Sequence, residues 1–128
     1  PTVNEFQTYQ FPRTLADEHA QEVMMIEKDQ GQAFSIFDNG KEVSSCISVR
    51  ENEQASECYV FTNQNHRRQG YARKTVMAWA QHIHGLGKIP FYSHKVDNFA
   101  SRAVAQKLGL TQSFSVVVYS DEKDIGAN

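Results

Sequence analysis

Apolar residues recur at helical spacing in three parts of the chain. The clearest stripe predicts a helix from Tyr71 to about Gly85. A weaker stripe, with Asp17 as a plausible N-cap, predicts a helix over residues 17–28. A third helix is expected over 98–108, where Ala100, Val104 and Leu108 fall in line. The members of the first stripe are Ala72, Val76, Trp79, Ala80 and Ile83.

The remaining apolar segments are typical of strands. Asn39-Gly40 separates two of them and favours a tight hairpin, because both residues accept positive φ. The run 56–62 is apolar on both faces, which predicts a central strand. Pro90 lacks a backbone donor, so its strand must be unpaired on one side there. The predicted strands span residues 4–11, 33–37, 43–49, 56–62, 88–93 and 113–120.

This order of elements predicts a mixed α/β sheet, with an antiparallel front half and a β-α-β crossover in the back half. We expect one domain over residues 1–128, with a variable N-terminal strand and helix in 1–30. A core over 31–120 and a frayed tail over 121–128 would complete it. Four apolar side chains of the first half are expected in the core: Met24, Met25, Phe34 and Phe37.

Composition excludes several classes of protein. Thirteen basic and fifteen acidic residues give a formal charge of −2, which argues against a nucleic-acid or membrane-surface binder. No apolar run approaches the ~20 residues of a membrane span, so we expect a cytoplasmic protein. Cys46 and Cys58 lie inside predicted strands and are expected to be reduced, buried thiols.

The informative chemistry lies between a buried strand and a helix. Strand 57–62 runs into a polar loop over 63–69, and Gly70 and Ala72 begin the helix. A helix N-terminus presents unbonded N–H groups and positive charge, and so binds phosphate readily. The residues therefore indicate a diphosphate cradle; the alternative is a solvated basic loop. Three arginines surround the same point: Arg67, Arg68 and Arg73.

The segment Arg67-Arg-Gln-Gly-Tyr-Ala72 matches the R/Q-x-x-G-x-G/A signature of the GCN5-related N-acetyltransferases (GNAT). The hairpin at Asn39-Gly40 also resembles the second and third strands of that family. The resemblance extends over residues 31–110. Further segments are similar in order and spacing: Trp79-Ala80, Ile89 to Ser93, and Asn98 to Leu110.

The resemblance implies a GNAT-like acyl-CoA N-acyltransferase fold that binds acetyl-coenzyme A (acetyl-CoA) without a metal. Backbone groups of Val60, Phe61 and Thr62 would pair with the pantetheine arm like an added strand. Asn98 would hydrogen-bond the same arm, although it also suits a helix N-cap. The amides expected around the pyrophosphate are those of Arg68, Gln69, Gly70, Tyr71, Ala72 and Arg73. Ser101 and Arg102 are further candidates for contacts with the cofactor, and Pro90 suits two strands that separate to receive the arm.

Two catalytic roles follow from the chemistry of amide formation. The amine must lose a proton, and Glu57 is the first choice of base, because burial in an apolar strand would raise its pKa. Its alternative is a solvent-exposed carboxylate at a strand end. The acid that family members often place seven residues after the helix-start Asn falls on Ala105. Nearby candidates for that acid are Tyr92, Ser93 and His94; His94 could equally be an exposed loop residue.

The N-terminal part departs from the family, which usually has a strand and two helices before the hairpin. Only 30 residues precede Gly31. The acceptor pocket is therefore open, or completed by a second copy in a homodimer, or the chain is a piece of a longer protein. The sequence predicts an N-acetyltransferase acting on a primary amine of an unknown acceptor. The alternative is a non-catalytic acyl-CoA-binding or sensing module.

Overall fold

The computed structural model describes residues 2–12, 22–29 and 31–120. Within these ranges it has two α-helices, α1 (Tyr71–Gly85) and α2 (Phe99–Leu108), and a 3₁₀ helix at Gln64–His66. The predicted tail 121–128 lies outside the described residues. The strands are β1 (Thr2–Gln10), β2 (Met24–Lys28), β3 (Gly31–Asp38), β4 (Lys41–Glu51), β5 (Ala55–Thr62), β6 (Ile89–Lys95) and β7 (Thr111–Ser120).

All seven strands form one sheet in the order β2-β3-β4-β5-β6-β1-β7. Strands β2 to β5 are a meander of antiparallel neighbours. The β5-α1-β6 unit then makes a parallel crossover, as the sequence predicts. Strand β1 is inserted between β6 and β7 and is antiparallel to both. The mixed α/β fold is confirmed, and β5 is a central strand.

The hairpin between β3 and β4 is fixed by its turn residues. Asn39 has φ 53° and Gly40 has φ 77°, so both occupy the left-handed region that this tight turn requires. The chain reverses there, and Asp38 lies opposite Lys41. The hairpin predicted from the Asn-Gly pair is therefore confirmed.

The core lies between α1 and the middle of the sheet. Trp79 is fully buried and donates its indole N–H to Ser48 Oγ at 2.9 Å. It also contacts Phe11, just after β1, with ring centroids 6.0 Å apart. Four of the five predicted stripe residues of α1 are buried, as amphipathic spacing requires. The buried members are Val76, Trp79, Ala80 and Ile83.

The helix predicted over residues 17–28 is wrong in its second half. Residues 24–28 form β2, which pairs with β3 from Met24↔Ser35 to Lys28↔Gly31. The backbone groups along β3 offer a complete set of hydrogen bonds, and tertiary pairing overrides a weak helical stripe. The first half of that prediction falls on residues outside the described ranges.

The expected core position of the two adjacent methionines is also wrong. Met24 and Met25 lie on the edge strand β2 and are more than half exposed. Phe34 is buried as expected, whereas Phe37 is 39% exposed near the hairpin turn. In α2, Val104 and Leu108 pack against the core as their spacing predicts, whereas Ala100 is exposed and the fully buried residues are Ser101 and Ala105.

No helix in the described part of the chain is long and apolar enough to cross a membrane.

Candidate active site

Strands β5 and β6 pair along only part of their length. Their ladder runs from Ala55↔Ile89 to Cys58↔Tyr92, although both strands continue beyond it. The separation predicted between these strands is therefore present. Pro90 does not mark it, because this residue lies within the paired part, opposite Ser56. The gap opens toward the end of β5 that carries Phe61 and Thr62.

The loop that follows β5 connects the strand end beside this gap to the start of α1. Gly70 is the N-cap of α1 with φ 79° and ψ 11°. A Cβ built at Gly70 would meet nothing within 4 Å, so the space above it is open. The backbone N–H of Lys74 donates to the Gly70 carbonyl, which is the first hydrogen bond of the helix. The amides of residues 71–73 lie in the first turn, where a helix has no internal acceptor for them. A left-handed glycine facing open space at a helix N-terminus suits the close approach of an anion.

Positive charge is concentrated around this helix start. Arg67 and Arg68 are exposed, and Arg68 has φ 66°. Lys74 contacts Glu22 at 2.8 Å and lies 5.8 Å from the centre of the Tyr71 ring. The predicted cradle residues, Gln69 and Ala72 included, are thus brought together by one short segment.

Asn98 performs the capping role that the sequence allowed. Its Oδ1 accepts the N–H of Ser101 at 3.1 Å at the start of α2. Ser101 is buried, and its carbonyl accepts the hydroxyl of Tyr92. Arg102 donates to the Val96 carbonyl at 2.6 Å. These contacts fix the start of α2 beside β6, and contact with a cofactor stays a prediction.

Glu57 lies one residue before the last pair of the β5–β6 ladder. Its Oε2 accepts the hydroxyl of Ser93 at 2.5 Å, and its Oε1 lies 3.3 Å from Arg50 Nε. The side chain is 20% exposed, so this carboxylate is reachable from solvent yet held on both oxygens. Cys58 belongs to the core under α1. Because side chains alternate along a strand, Glu57 faces the opposite side of the sheet.

His94 is a fully buried residue of β6, so its reading as an exposed loop residue is wrong. Its Nδ1 lies 2.6 Å from the Lys95 carbonyl, and its Nε2 lies 2.9 Å from Tyr9 Oη. A carbonyl only accepts, so Nδ1 carries the proton, and Tyr9 donates to Nε2 of the neutral ring. Burial lowers the pKa of His94, and nearby Arg102 lowers it further, against the opposing effect of the Lys95 carbonyl.

This burial predicts a stability that depends on pH. The pKa of His94 is lowered from 6.5 in the folded protein, so the unfolded chain binds its proton more readily. The contribution of His94 to the free energy of unfolding is therefore complete above pH 6.5 and is lost as the pH falls below that value. We expect the urea midpoint of unfolding to decrease as the pH is lowered from about 8 to about 5. His94→Gln should reduce this dependence of the midpoint on pH. An identical slope in the variant would contradict the assignment.

The two cysteines of the described core are buried thiols rather than a reactive centre. Cys46 and Cys58 are fully buried, as predicted, and burial raises the pKa of Cys46 well above its ordinary value. Ala105 is buried against the same cluster, at the position where the family often has a tyrosine. Within the described ranges, no three His, Cys, Asp or Glu side chains are grouped so that they could hold a metal ion.

Three residues beside the site escaped the sequence analysis: Thr8, Tyr9 and Arg50. Thr8 Oγ1 lies 2.9 Å from Ser93 Oγ, and the other two contact His94 and Glu57. The run 4–11 is recognisable as a strand, but no local signal shows that it lies beside β6. For Arg50, its positive charge on the strand next to that of Glu57 was a signal that could have indicated the ion pair.

Comparison with known proteins agrees with this geometry. The GNAT acetyltransferase profile matches residues 27–119. A search of curated proteins found no match. The fold is similar to a GNAT-family acetyltransferase from Colwellia psychrerythraea, with 15% identity and a TM-score of 0.76 over 91% of this chain.

Two further solved structures show the same fold. A GNAT-family protein from Novosphingobium aromaticivorans has 12% identity and a TM-score of 0.75 over 91% of this chain. A GCN5-related N-acetyltransferase-like protein from Streptococcus suis has 16% identity and a TM-score of 0.63 over 90%. The chain spans 56% of the Colwellia protein, 63% of the Novosphingobium protein and 61% of the Streptococcus protein. With most of its length matched by the family profile, and with this fold, the chain belongs to the GNAT acetyltransferase family.

Proposed function

We propose that this chain transfers the acetyl group of acetyl-CoA to a primary amine. One observation carries the proposal: the gap between β5 and β6 leads directly to the left-handed Gly70 at the start of α1. The gap suits an extended pantetheine arm, and the helix start suits its diphosphate. Family membership supports acyl transfer as the reaction class.

The residues around the gap fit acetyl-CoA in charge and shape. Amides from Arg68 to Arg73 would hold the diphosphate, with Arg67 adding positive charge. Phe61 and Thr62, beyond the end of the β5–β6 ladder, would lie along the pantetheine. Val60 on the same strand, and Asn98 at the start of α2, are the remaining predicted contacts. Acetyl-CoA would supply the activated acetyl thioester.

Glu57 is the proposed general base. It lies where the two strands separate, is reachable from solvent, and faces away from α1. A carboxylate there can accept the proton that the amine loses as it attacks, directly or through one water. The Arg50 guanidinium and the Ser93 hydroxyl orient it.

The acid that returns a proton to the leaving thiolate is less defined. The Ser93 hydroxyl donates a hydrogen bond to Glu57, and neutral His94 accepts a hydrogen bond from Tyr9. Tyr92 donates to the Ser101 carbonyl. Each of these predicted candidates would have to change partners in order to protonate the thiolate, so water entering the open gap is the alternative proton source.

Calorimetry and a thiol-release assay test the proposal together. We expect acetyl-CoA to bind, and free thiol to appear when a panel of primary amines is added. Binding without turnover for any amine would favour the second candidate, a non-catalytic acyl-CoA sensor. One observation favours the sensor: Ala105 is buried at the position where a catalytic tyrosine is common in the family. Absence of binding would overturn both.

Removal of the Glu57 charge should slow the chemical step. Glu57→Gln keeps the size of the side chain and can still accept from Ser93, but it cannot take up a proton at neutral pH. We expect turnover to fall about 10²-fold, with acetyl-CoA affinity nearly unchanged. A control is Glu42→Gln, at another carboxylate that accepts from a buried serine, Ser35, far along the sheet. A wild-type rate in Glu57→Gln would exclude this residue as the base.

Two further predictions remain part of the proposal. A second copy of the chain could wall the acceptor site, which sedimentation would detect as a homodimer. The cytoplasm is the expected compartment, because acetyl-CoA is the proposed cosubstrate and reduced Cys46 and Cys58 suit a reducing environment.

A further inference from the structure

We propose that Thr8 is a positioning residue for the reaction, holding the Glu57 carboxylate through Ser93. The inference rests on the proposed function, since it assigns a catalytic purpose to a contact on β1. Thr8 and Ser93 lie opposite each other in the β1–β6 ladder, although they are 85 residues apart along the chain. The three side chains form one row across β1, β6 and β5.

The direction of each hydrogen bond in this row is determined. Ser93 has one hydroxyl proton, and an ionised carboxylate can only accept, so Ser93 donates to Glu57 Oε2 at 2.5 Å. The Ser93 oxygen must then act as acceptor toward its other neighbour, and Thr8 donates to it at 2.9 Å. A hydroxyl that accepts one hydrogen bond is a better donor in the next, because each bond polarises the other.

Burial makes the row rigid at one end and accessible at the other. Thr8 is 4% exposed and Ser93 is 5% exposed, whereas the Glu57 side chain is 20% exposed. Arg50 on β4 contacts the second carboxylate oxygen. Four strands thus fix the orientation of Glu57 where β5 and β6 begin to separate. A base must be within hydrogen-bond reach of the proton it takes, so its orientation bears directly on the rate.

A structural role for Thr8 and a positioning role predict different results. If Thr8 only packs β1 against β6, Thr8→Val should be well tolerated, because valine has the same shape. If its hydroxyl positions Glu57, Thr8→Val should lower kcat even in a folded protein, and Thr8→Ser should restore it.

The experiment compares Thr8→Val, Thr8→Ser and wild type by thiol release and acetyl-CoA binding. We expect Thr8→Val to lower kcat about tenfold at unchanged KM for acetyl-CoA, and Thr8→Ser to stay within about twofold of wild type. Ser35→Ala is the matched control, because it removes a buried hydroxyl that donates to a different carboxylate, Glu42. The Thr8→Val effect should also disappear in a Glu57→Gln background.

A second readout separates this inference from the proposed function. The carboxyl ¹³C signal of Glu57, assigned by its loss in Glu57→Gln, should move in Thr8→Val and stay unchanged in Ser35→Ala. A shifted signal in a protein without turnover would reject the acetyltransferase and keep the hydroxyl row. Normal turnover and an unmoved signal in Thr8→Val would overturn the positioning role.

Discussion

Replacement of Gly70 by aspartate is expected to abolish the binding of acetyl-CoA. Gly70 is the N-cap of α1, and a Cβ at this position would meet nothing within 4 Å. The new carboxylate would therefore enter the open space that we assign to the diphosphate. Two unit charges about 4 Å apart near a protein surface repel by about 4 kcal/mol, which corresponds to about a 10³-fold loss of affinity.

Gly70→Asn is the matched control for that substitution. Gly70 has φ 79°, and asparagine tolerates the left-handed region about as well as aspartate does, with the same size and no charge. Calorimetric titration with acetyl-CoA should show a much smaller loss for Gly70→Asn than for Gly70→Asp. Equal affinity of Gly70→Asp and wild type would remove the cradle from the proposed site.

Trp79→Ala is expected to cause the largest loss of stability. The Trp79 side chain is fully buried, contacts Phe11 and donates to Ser48, so it joins α1 to β4 and to the end of β1. Deletion of a buried tryptophan side chain usually costs about 3–5 kcal/mol. Since small domains are stable by only about 5–15 kcal/mol, chemical denaturation should show a strongly lowered midpoint.

Two milder variants separate packing from hydrogen bonding at this position. Trp79→Phe keeps an aromatic ring and removes the indole donor, and should cost less than the alanine variant. Phe99→Ala removes an aromatic side chain that is 70% exposed, and should change the free energy of unfolding by no more than about 0.5 kcal/mol. A similar loss in Trp79→Ala and Phe99→Ala would contradict the described core.

Local signals predicted the elements that depend on neighbouring residues. The stripe of α1, the Asn39-Gly40 turn and the cap at Asn98 all depend on contacts within a few positions, and the structure has each of them. The helix predicted over residues 24–28 was wrong because these residues pair with β3, and the hydrogen bonds to that strand outweigh a weak helical period. In α2, Val104 and Leu108 pack against the core as expected, but Ala100 does not, because the buried position beside it is taken by Ser101, a polar residue whose burial no local pattern indicates.

The candidate site divides in the same way. The proposed cradle around Gly70 is a single segment, so motif and spacing were sufficient to name its residues, and their contact with a diphosphate stays a prediction. The residues around Glu57 lie on three other strands, and sequence spacing cannot show that Ser93 and Arg50 contact it or that Thr8 contacts Ser93. His94 was predicted as a candidate, but sequence spacing does not show its hydrogen bond with Tyr9, which reaches it from β1.

The location of β1 between β6 and β7 also constrains how the protein assembles. Strand β1 pairs with residues far along the chain, as in the pairing of Thr2 with Ser120. During synthesis, β1 must wait for β6 and then β7 to leave the ribosome, while β2 to β5 can already form their meander. Pairings between distant parts of a chain are slow to form because loop closure costs entropy before any contact is gained. Completion of this half of the sheet is therefore the expected slow step of folding.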